Sequence, residues 1–316
     1  MSTITRRSFH DTGFGPDFQA VRQFLLRVNN VVPMASPEFL WSRWEWTFCL
    51  PFLDREHLAD IGIWESDGDV VGLATYEYGR GECFLAVDPR FRAPLLPRLV
   101  EHAVTHLHDR GRVGIPVGED DPDLAAILAA RGFRSTDDTE ETVARDLADL
   151  PGYELPEGYA ITSLAEGFDL HRLHRCMHRG FDHPEPVPED DEALAWRRRS
   201  LNAPSLIPEL NIVVIAPDGE YAAYCGSFHH PSTSYVQLEP VCTDPGHRGR
   251  GCGKAAVLEA LHRAARLGVR TAYVGSDQPF YARLGFRAFH RSRWWRLDQS
   301  QPEYSSRQGV VSSTLS

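Results

Sequence analysis

The feature that most constrains the fold is a glycine-rich turn between an apolar segment and an amphipathic one. The turn holds Gly249, Gly251 and Gly253 among basic residues, after the apolar run 235–242 and before the helical pattern 256–267. A strand that enters such a turn at a helix N-terminus suits a phosphate-bearing ligand. Glycine lets the backbone approach the ligand, and the free N–H groups of the first helical turn favour an anion.

Two common phosphate-binding motifs do not fit this turn. The P-loop pattern G-x-x-x-x-G-K-[ST] requires glycine where Arg248 stands and a hydroxyl residue where Ala255 stands. The two possible registers of the dinucleotide fingerprint G-x-G-x-x-G place its third glycine at Lys254 and at Ala256. Neither motif therefore describes the turn.

The turn instead resembles R/Q-x-x-G-x-G/A, the pyrophosphate loop of the GCN5-related N-acetyltransferases (GNAT), through Arg248, Gly251 and Gly253. The segment 279–286 is similar to a second signature of that superfamily, a short helix with the pattern F-Y-x-x-L-G-F before a strand. Glycine-rich turns occur in many folds, but the two motifs at this separation are a specific combination. The resemblance covers roughly residues 157–298.

The local patterns predict an order of elements that agrees with this resemblance. Gly268 is placed to end the long helix as a C′ glycine. The predicted elements are strand 234–243, loop 244–253, helix 254–267, strand 270–275, short helix 278–284, and strands 286–290 and 292–297.

The first half of the chain repeats the second. Residues 84–92 resemble 240–248, residues 128–133 resemble 281–286, and each half has an Asp-Gly hairpin signal. A length of 316 residues also suggests two domains. We therefore predict an α/β (α+β) fold of two tandem GNAT-like domains, each a central mixed, mostly antiparallel twisted sheet flanked by helices. The predicted ranges are a degenerate domain at 1–149, a linker at 150–157, a catalytic domain at 158–299 and a disordered tail at 300–316.

The first half lacks the residues that the resemblance associates with the cofactor. A leucine side chain would occupy the ligand's place, and a proline supplies no N–H group. The replacements are Leu95 for Gly251, Pro97 for Gly253, Leu128 for Tyr281 and Cys83 for Glu239. We expect this half to keep the fold without a cofactor. Its aromatic segment 39–52 has a helical spacing that favours core packing, with an inter-domain or acceptor-site role as the alternative.

The resemblance implies transfer of an acetyl group from acetyl-CoA to an amine by direct attack. The strand residues Val241, Cys242 and Thr243 would pair with pantetheine, and Tyr281 would act as the general acid near the sulfur. The pyrophosphate would be held by Arg248, Gly249, Arg250, Gly251, Cys252, Gly253 and Lys254. Cys252 fills a variable position of the motif, because this mechanism needs no nucleophilic cysteine.

The general base is left open between several groups. Glu239 lies on the strand that approaches the thioester, and it is either the base or a carboxylate held by its neighbours. His229 and His230 on the preceding hairpin are alternatives. His171, His174 and His178 share a helical face, but interleaved arginines would repel a cation, so we predict no metal site.

Composition limits the partners and the compartment. A net charge of −11 argues against nonspecific nucleic-acid binding, and no segment resembles a signal peptide or a membrane span. The six cysteines show no C-x-x-C pair, which favours reduced core thiols. We therefore expect a cytoplasmic protein, a monomer or homodimer, without nucleic-acid or membrane partners.

The acceptor is the least constrained part of the prediction. The acidic segment 181–192 either attracts a cationic amine or simply begins a helix, and the second interpretation is favoured. The function predicted is that of an N-acetyltransferase acting on a primary amine of a small molecule in the C-terminal half. The alternatives are a noncatalytic acyl-CoA-binding regulatory protein and a protein N-acetyltransferase.

Overall fold

The computed structural model describes residues 3–31 and 34–299, so the predicted disordered tail at 300–316 lies outside the described residues. The strands of the described chain are β1 (Ile4–Ser8), β2 (Gly62–Ser66), β3 (Asp69–Tyr76), β4 (Cys83–Val87), β5 (Arg112–Gly118), β6 (Arg134–Asp146), β7 (Ala160–Ser163), β8 (Ile212–Ile215), β9 (Tyr221–His229), β10 (Tyr235–Thr243), β11 (Thr271–Val274) and β12 (Arg287–Asp298). The α-helices are α1 (Pro16–Asn29), α2 (Trp41–Cys49), α3 (Arg92–His106), α4 (Pro122–Ala130), α5 (Leu170–Gly180), α6 (Asp191–Ser200), α7 (Cys252–Arg266) and α8 (Pro279–Arg283).

The strands form two twisted sheets that confirm the predicted mixed, mostly antiparallel class. The smaller sheet has the order β1-β2-β3-β4, and all its neighbours are antiparallel. The larger sheet has the order β5-β12-β6-β11-β10-β9-β8-β7, and its one parallel pair among the described strands is β10 with β11. A single parallel bridge between Glu82 and Gly114 connects the two sheets.

The two halves of the chain exchange their last strands. β12 of the second half pairs with β5 of the first, and β6 of the first half pairs with β11 of the second. β6 and β12 also pair with each other, so one sheet runs across both halves. The predicted boundary near residues 149–158 therefore marks the sequence repeat, while the backbone hydrogen bonds of the large sheet cross it.

Helices cover both faces of the C-terminal part of this sheet. α7 presents a buried stripe that includes Val257, Leu258 and Leu261 to β8 and β9, as its helical spacing requires. α5 packs on the opposite face, where Leu173 and Met177 are buried. None of the described helices combines the length and apolar character that crossing a bilayer requires.

Several local predictions are confirmed and two are corrected. The Asp67–Gly68 and Asp218–Gly219 turns join antiparallel strands, and Asp67 and Gly68 both have positive φ, as a tight hairpin turn demands. The predicted strands 286–290 and 292–297 are one strand, β12, because register shifts absorb its bends without breaking the pairing. α7 begins at Cys252 and not at 254, since Gly251 already serves as its N-cap in the left-handed conformation.

The sequence repeat is also a repeat of backbone geometry. The short helices α4 and α8 both end at a glycine with positive φ, 87° at Gly132 and 83° at Gly285. The next residue then donates a backbone hydrogen bond to the equivalent carbonyl in each half. Phe133 donates to Leu128 at 3.0 Å, and Phe286 donates to Tyr281 at 3.1 Å.

In the first half, the helix replaces the glycine-rich loop. α3 begins at Arg92, the counterpart of Arg248, and so starts four residues earlier in the repeat than α7 does. Leu95 stands in place of Gly251 and is fully buried in the core. In the first half, a helical turn and its side chains thus fill the space that is open beside the glycine-rich turn of the second half.

Candidate active site

The strands β10 and β11 are paired only over their first three residues. This parallel pairing is limited to residues 235–237 of β10 and 271–273 of β11. The register between β10 and β9 then shifts between Leu238 and Val241, which bends β10. Gly226 of β9 faces this bend, and a Cβ there would collide with the Glu239 carbonyl oxygen. The absence of a side chain at 226 therefore lets the bend form.

The glycine-rich turn has the geometry of an anion-binding loop. Gly249 and Gly251 have φ of 74° and 88°, a region that other residues rarely adopt. An added Cβ at either glycine would meet no atom within 4 Å, so both face open space. Gly251 caps α7, whose first amide N–H groups point toward the turn. These features fit the phosphates of a CoA molecule.

Arg248 supports the turn through its side chain. Its guanidinium donates hydrogen bonds to the Thr243 carbonyl at 3.1 Å, the Gly180 carbonyl at 2.9 Å and the Asp182 carboxylate at 3.0 Å. These bonds tie the end of β10 to the end of α5. Among the other basic residues of the loop, Arg250 donates to the Tyr159 hydroxyl at 3.3 Å, and Lys254 is exposed in the first turn of α7.

One cavity of about 540 Å³ joins these features and is named here the cofactor cavity. Its walls include six of the sequence-predicted residues, which are Val241, Cys242, Thr243, Arg248, Gly249 and Tyr281. Phe181 and Asp182 complete the wall beside α5. Cys252 lies outside it and is 1% exposed, which agrees with a variable position and not a nucleophile.

Tyr281 presents a phenol with the properties of a proton donor. Its ring is buried against Phe280 and Phe286, and within the described residues its hydroxyl has no hydrogen-bond partner. Burial raises the pKa of Tyr281 above its ordinary value, and the nearby carboxylate of Glu239 raises it further. The hydroxyl therefore keeps its proton at neutral pH.

Glu239 presents a carboxylate with the properties of a proton acceptor near neutrality. Burial raises the pKa of Glu239 to about 7; the carboxylate of Glu77 raises it too, and the guanidinium of Arg43 lowers it. A base whose pKa lies close to the ambient pH suits general base catalysis. The residues described here form no hydrogen bond or ion pair with this carboxylate, so it is not held by neighbours.

A second cavity of about 480 Å³ lies between the halves and is named here the acceptor cavity. Glu239 and Gln237 form part of its wall, and Gln278 lines both this cavity and the cofactor cavity. The two cavities are therefore adjacent at Gln278.

Much of the wall of the acceptor cavity is formed by residues of the N-terminal half. The sequence analysis did not identify these residues individually. Arg43 and Trp46 of α2 line it, as do Glu77 after β3 and Glu140 of β6. Trp46 also packs edge-on against Phe228 of β9. The helical spacing of the aromatic segment could have pointed to Trp46, because that residue departs from the face that carries the buried Trp44 and Phe48. No motif marks Glu77 or Glu140.

The structure places the hairpin histidines and the histidines of α5 outside both cavities. His229 pairs across from Val236 and contacts the Tyr235 carbonyl at 2.9 Å, and His230 contacts the Ser232 hydroxyl at 2.7 Å. On α5, His174 contacts the Pro188 carbonyl at 2.7 Å and thereby holds the acidic segment. The described residues contain no group of three or more His, Cys, Asp or Glu side chains arranged to hold a metal ion.

The acidic segment 181–192 begins a helix, as the favoured interpretation predicted. Asp190 caps α6 by accepting a hydrogen bond from the Ala193 amide at 2.9 Å. Glu189 pairs with Arg175 at 3.0 Å. The first residues of the segment, Phe181 and Asp182, line the cofactor cavity.

A strand pair whose pairing ends beside a glycine-rich helix N-terminus, with a buried phenol and a carboxylate of raised pKa in two adjacent cavities, fits an acyltransferase that uses an acyl-CoA. Comparisons with known proteins agree. A family model described as the acetyltransferase (GNAT) family matches residues 169–286. A mycothiol acetyltransferase of Kytococcus sedentarius is 30% identical over 243 residues, which are 69% of this chain and 75% of that protein.

Two further relatives extend the comparison. A glucosamine 6-phosphate N-acetyltransferase of Trypanosoma brucei brucei is 38% identical over 64 residues, which are 19% of this chain and 42% of that protein. The structure of a tandem GNAT protein from the clavulanic acid biosynthesis pathway superposes with a TM-score of 0.63 at 18% identity, covering 95% of this chain and 99% of that one. This chain belongs to the GNAT acetyltransferase family and is an acyltransferase enzyme.

Proposed function

We propose that the enzyme transfers an acetyl group from acetyl-CoA to a primary amine of a small molecule, in the C-terminal half. The observation that carries the proposal is that two adjacent cavities share Gln278, with Tyr281 lining the cofactor cavity and Glu239 lining the acceptor cavity. The names of the mycothiol and glucosamine 6-phosphate relatives are consistent with a small acceptor. The acceptor cavity volume of about 480 Å³ is also that of a small-molecule site.

The residues that would hold acetyl-CoA are those of the loop and of β10. The amide groups of residues 249–254 would bind the pyrophosphate, and Val241 to Thr243 offer a strand backbone that β11 leaves uncovered. Acetyl-CoA supplies an activated thioester, so the enzyme needs no nucleophile of its own. The N-terminal half lacks this loop, and we infer one CoA site per chain.

Glu239 and Tyr281 divide the proton transfers between them. Glu239 would take a proton from the acceptor ammonium, directly or through a water molecule, because only the neutral amine can attack. Tyr281 would give its proton to the departing thiolate. The carboxylate with a pKa near 7 and the phenol with a raised pKa are in the protonation states that these roles require.

Glu239→Gln tests this assignment in a thiol-release assay with acetyl-CoA and a panel of primary amines. The substitution keeps the shape of the side chain and removes its basicity. The rate should fall at neutral pH by about 10²–10⁴-fold and recover partly at alkaline pH, where more amine is neutral in solution.

His229→Gln and His230→Gln serve as controls, since both histidines lie outside the two cavities. Their pH–rate profiles should match that of the wild type. A Glu239→Gln enzyme with an unchanged profile, together with a shifted profile for either histidine variant, would assign the base to the hairpin.

A further inference from the structure

The acceptor cavity holds more negative than positive charge. Its cationic lining residues are Arg43 and His290. Its carboxylates are Glu38, Glu77, Glu140, Glu141, Glu239 and Asp277. Glu38 pairs with His290 at 3.1 Å, and Glu141 pairs with Arg291 outside the cavity at 3.2 Å. Of the other four carboxylates, Glu77 and Glu140 share the guanidinium of Arg43.

That guanidinium serves two carboxylates at once. Arg43 contacts Glu77 at 2.6 Å and Glu140 at 3.0 Å, so this group of three side chains keeps one negative charge. Asp277 has no ion-pair partner among the described residues and is exposed at the cavity wall. Uncompensated carboxylates in a partly buried cavity attract cations more strongly than they would in water.

An unsatisfied hydroxyl lies in the same wall. Ser292 is 2% exposed, lines the acceptor cavity, and has no hydrogen-bond partner for its hydroxyl in the described parts of the chain. The strand exchange brings Ser292 of β12 directly across from Glu140 of β6. Its oxygen is open to the cavity, so it can form a hydrogen bond with a polar group of a ligand.

We propose that the acceptor carries a second positively charged group, which the Glu77–Arg43–Glu140 group and Ser292 bind while the reacting amine lies at Glu239. The acceptor class is then a diamine or a similar dication, and the N-terminal half selects it. This inference rests on the proposed function, because it concerns the same cavity. It gives a role to the half that has lost its own cofactor loop.

Three acceptors of equal chain length test the proposal: 1,4-diaminobutane, 4-amino-1-butanol and 1-aminobutane. We expect kcat/KM for the diamine to exceed those for the other two by about tenfold or more, because only its second ammonium meets the excess carboxylate charge. Glu140→Gln should remove most of this preference by raising KM for the diamine, with little change for 1-aminobutane. Glu119→Gln is the matched control, since Glu119 is a surface carboxylate outside the cavity.

Calorimetric binding of the diamine and of 1-aminobutane separates this inference from the proposed function. Equal affinities, or a preference for the amino alcohol, would overturn the second cationic subsite whether or not turnover occurs. Tighter binding of the diamine without turnover of any amine would instead overturn the acetyltransfer to small amines. If Glu140→Gln does not fold, Ser292→Ala must reduce the diamine preference, and an unchanged preference contradicts the proposal.

Discussion

Glu239 shows how a single residue acquires its function from its surroundings. In the sequence it is an ordinary carboxylate on a strand, and in the structure it lies at the bend opposite Gly226 and lines the acceptor cavity. Burial then raises the pKa of Glu239 to about 7, and the negative charge of Glu77 adds to the rise. The neighbour from the N-terminal half thus adjusts the proposed base of the C-terminal half.

Glu77→Gln should therefore shift the pH dependence of the reaction. Removing the negative charge makes the ionised form of Glu239 less unfavourable, so the pKa of Glu239 falls and the acid limb of kcat/KM moves below about pH 7. The pH–rate profile of the variant, measured beside that of Glu119→Gln, checks the direction. A shift to higher pH, or the same shift in the control, would contradict the assignment.

Tyr281→Phe isolates the second proposed proton transfer. The variant keeps the ring that packs on Phe280 and Phe286 and removes the proton donor. We expect turnover to fall by about 10²–10⁴-fold while CoA affinity, measured by calorimetry, stays close to that of the wild type. Equal turnover in both proteins would give Tyr281 a packing role.

At the scale of elements, the glycine-rich loop and α7 were predictable from the sequence, whereas the residues that line the acceptor cavity were not. Glycines at 249 and 251 leave a local signal, because positive φ and close ligand approach require that residue type. Glu77 and Glu140 leave none, because their position depends on contacts between distant parts of the chain. The hairpin turns and α5 followed from local patterns, and β12 was split in the prediction because bulges do not appear in periodicity.

In the first half of the repeat a leucine occupies the position of Gly251, and the glycine-rich loop is absent. Gly251→Leu introduces the same residue into the second half. Leu95, the counterpart in the first half, lies in a helical turn within the core. A leucine at 251 would have to adopt the unfavourable φ of 88°. Its side chain would also occupy the open space in which we propose that the pyrophosphate binds. We expect calorimetry to find one CoA per wild-type chain and to detect no CoA binding to this variant.

Gly268→Leu is a matched control for backbone strain. Gly268 has φ of 85° and open space around its missing Cβ, but it follows the C-terminal end of α7, whereas Gly251 caps the N-terminal end. Both variants should lose about 1–2 kcal/mol of stability from the left-handed conformation, and only Gly251→Leu should lose CoA affinity. Two equivalent CoA sites, or retained binding by Gly251→Leu, would contradict the single-site proposal.

For the whole molecule, the repeat could be read from the sequence but the way its halves join could not. β6 and β12 are the last strands of the two halves, and each pairs with strands that are distant in the sequence. These pairings are all antiparallel, so the local pattern of β6 or β12 does not indicate which half supplies its neighbours. Buried hydrogen bonds to Ser205 of the second half also join the halves. Glu45 of α2 pairs with Arg22 and accepts hydrogen bonds from the amide and hydroxyl of Ser205, each at 2.8 Å.

The strand exchange predicts that the C-terminal half does not fold by itself. A fragment of residues 158–299 would lack β6, the partner of both β11 and β12, and β5, the other partner of β12. Exposed strand edges of this kind are prone to aggregation. In addition, Phe228 of β9 would lose its contact with Trp46, and Ser205 would lose its hydrogen bond to Glu45. We therefore expect the fragment to show no cooperative denaturant transition by circular dichroism and no CoA binding.

The full chain should unfold in one transition, because its large sheet belongs to both halves. Mixing the fragment with residues 1–149 should restore CoA binding, since the missing strands β5 and β6 and helix α2 are then supplied in trans. A fragment 158–299 that alone unfolds cooperatively and binds CoA as tightly as the full chain would show that the shared sheet is dispensable. Two separate transitions in the full chain would mean that the halves are independent folding units despite their exchanged strands.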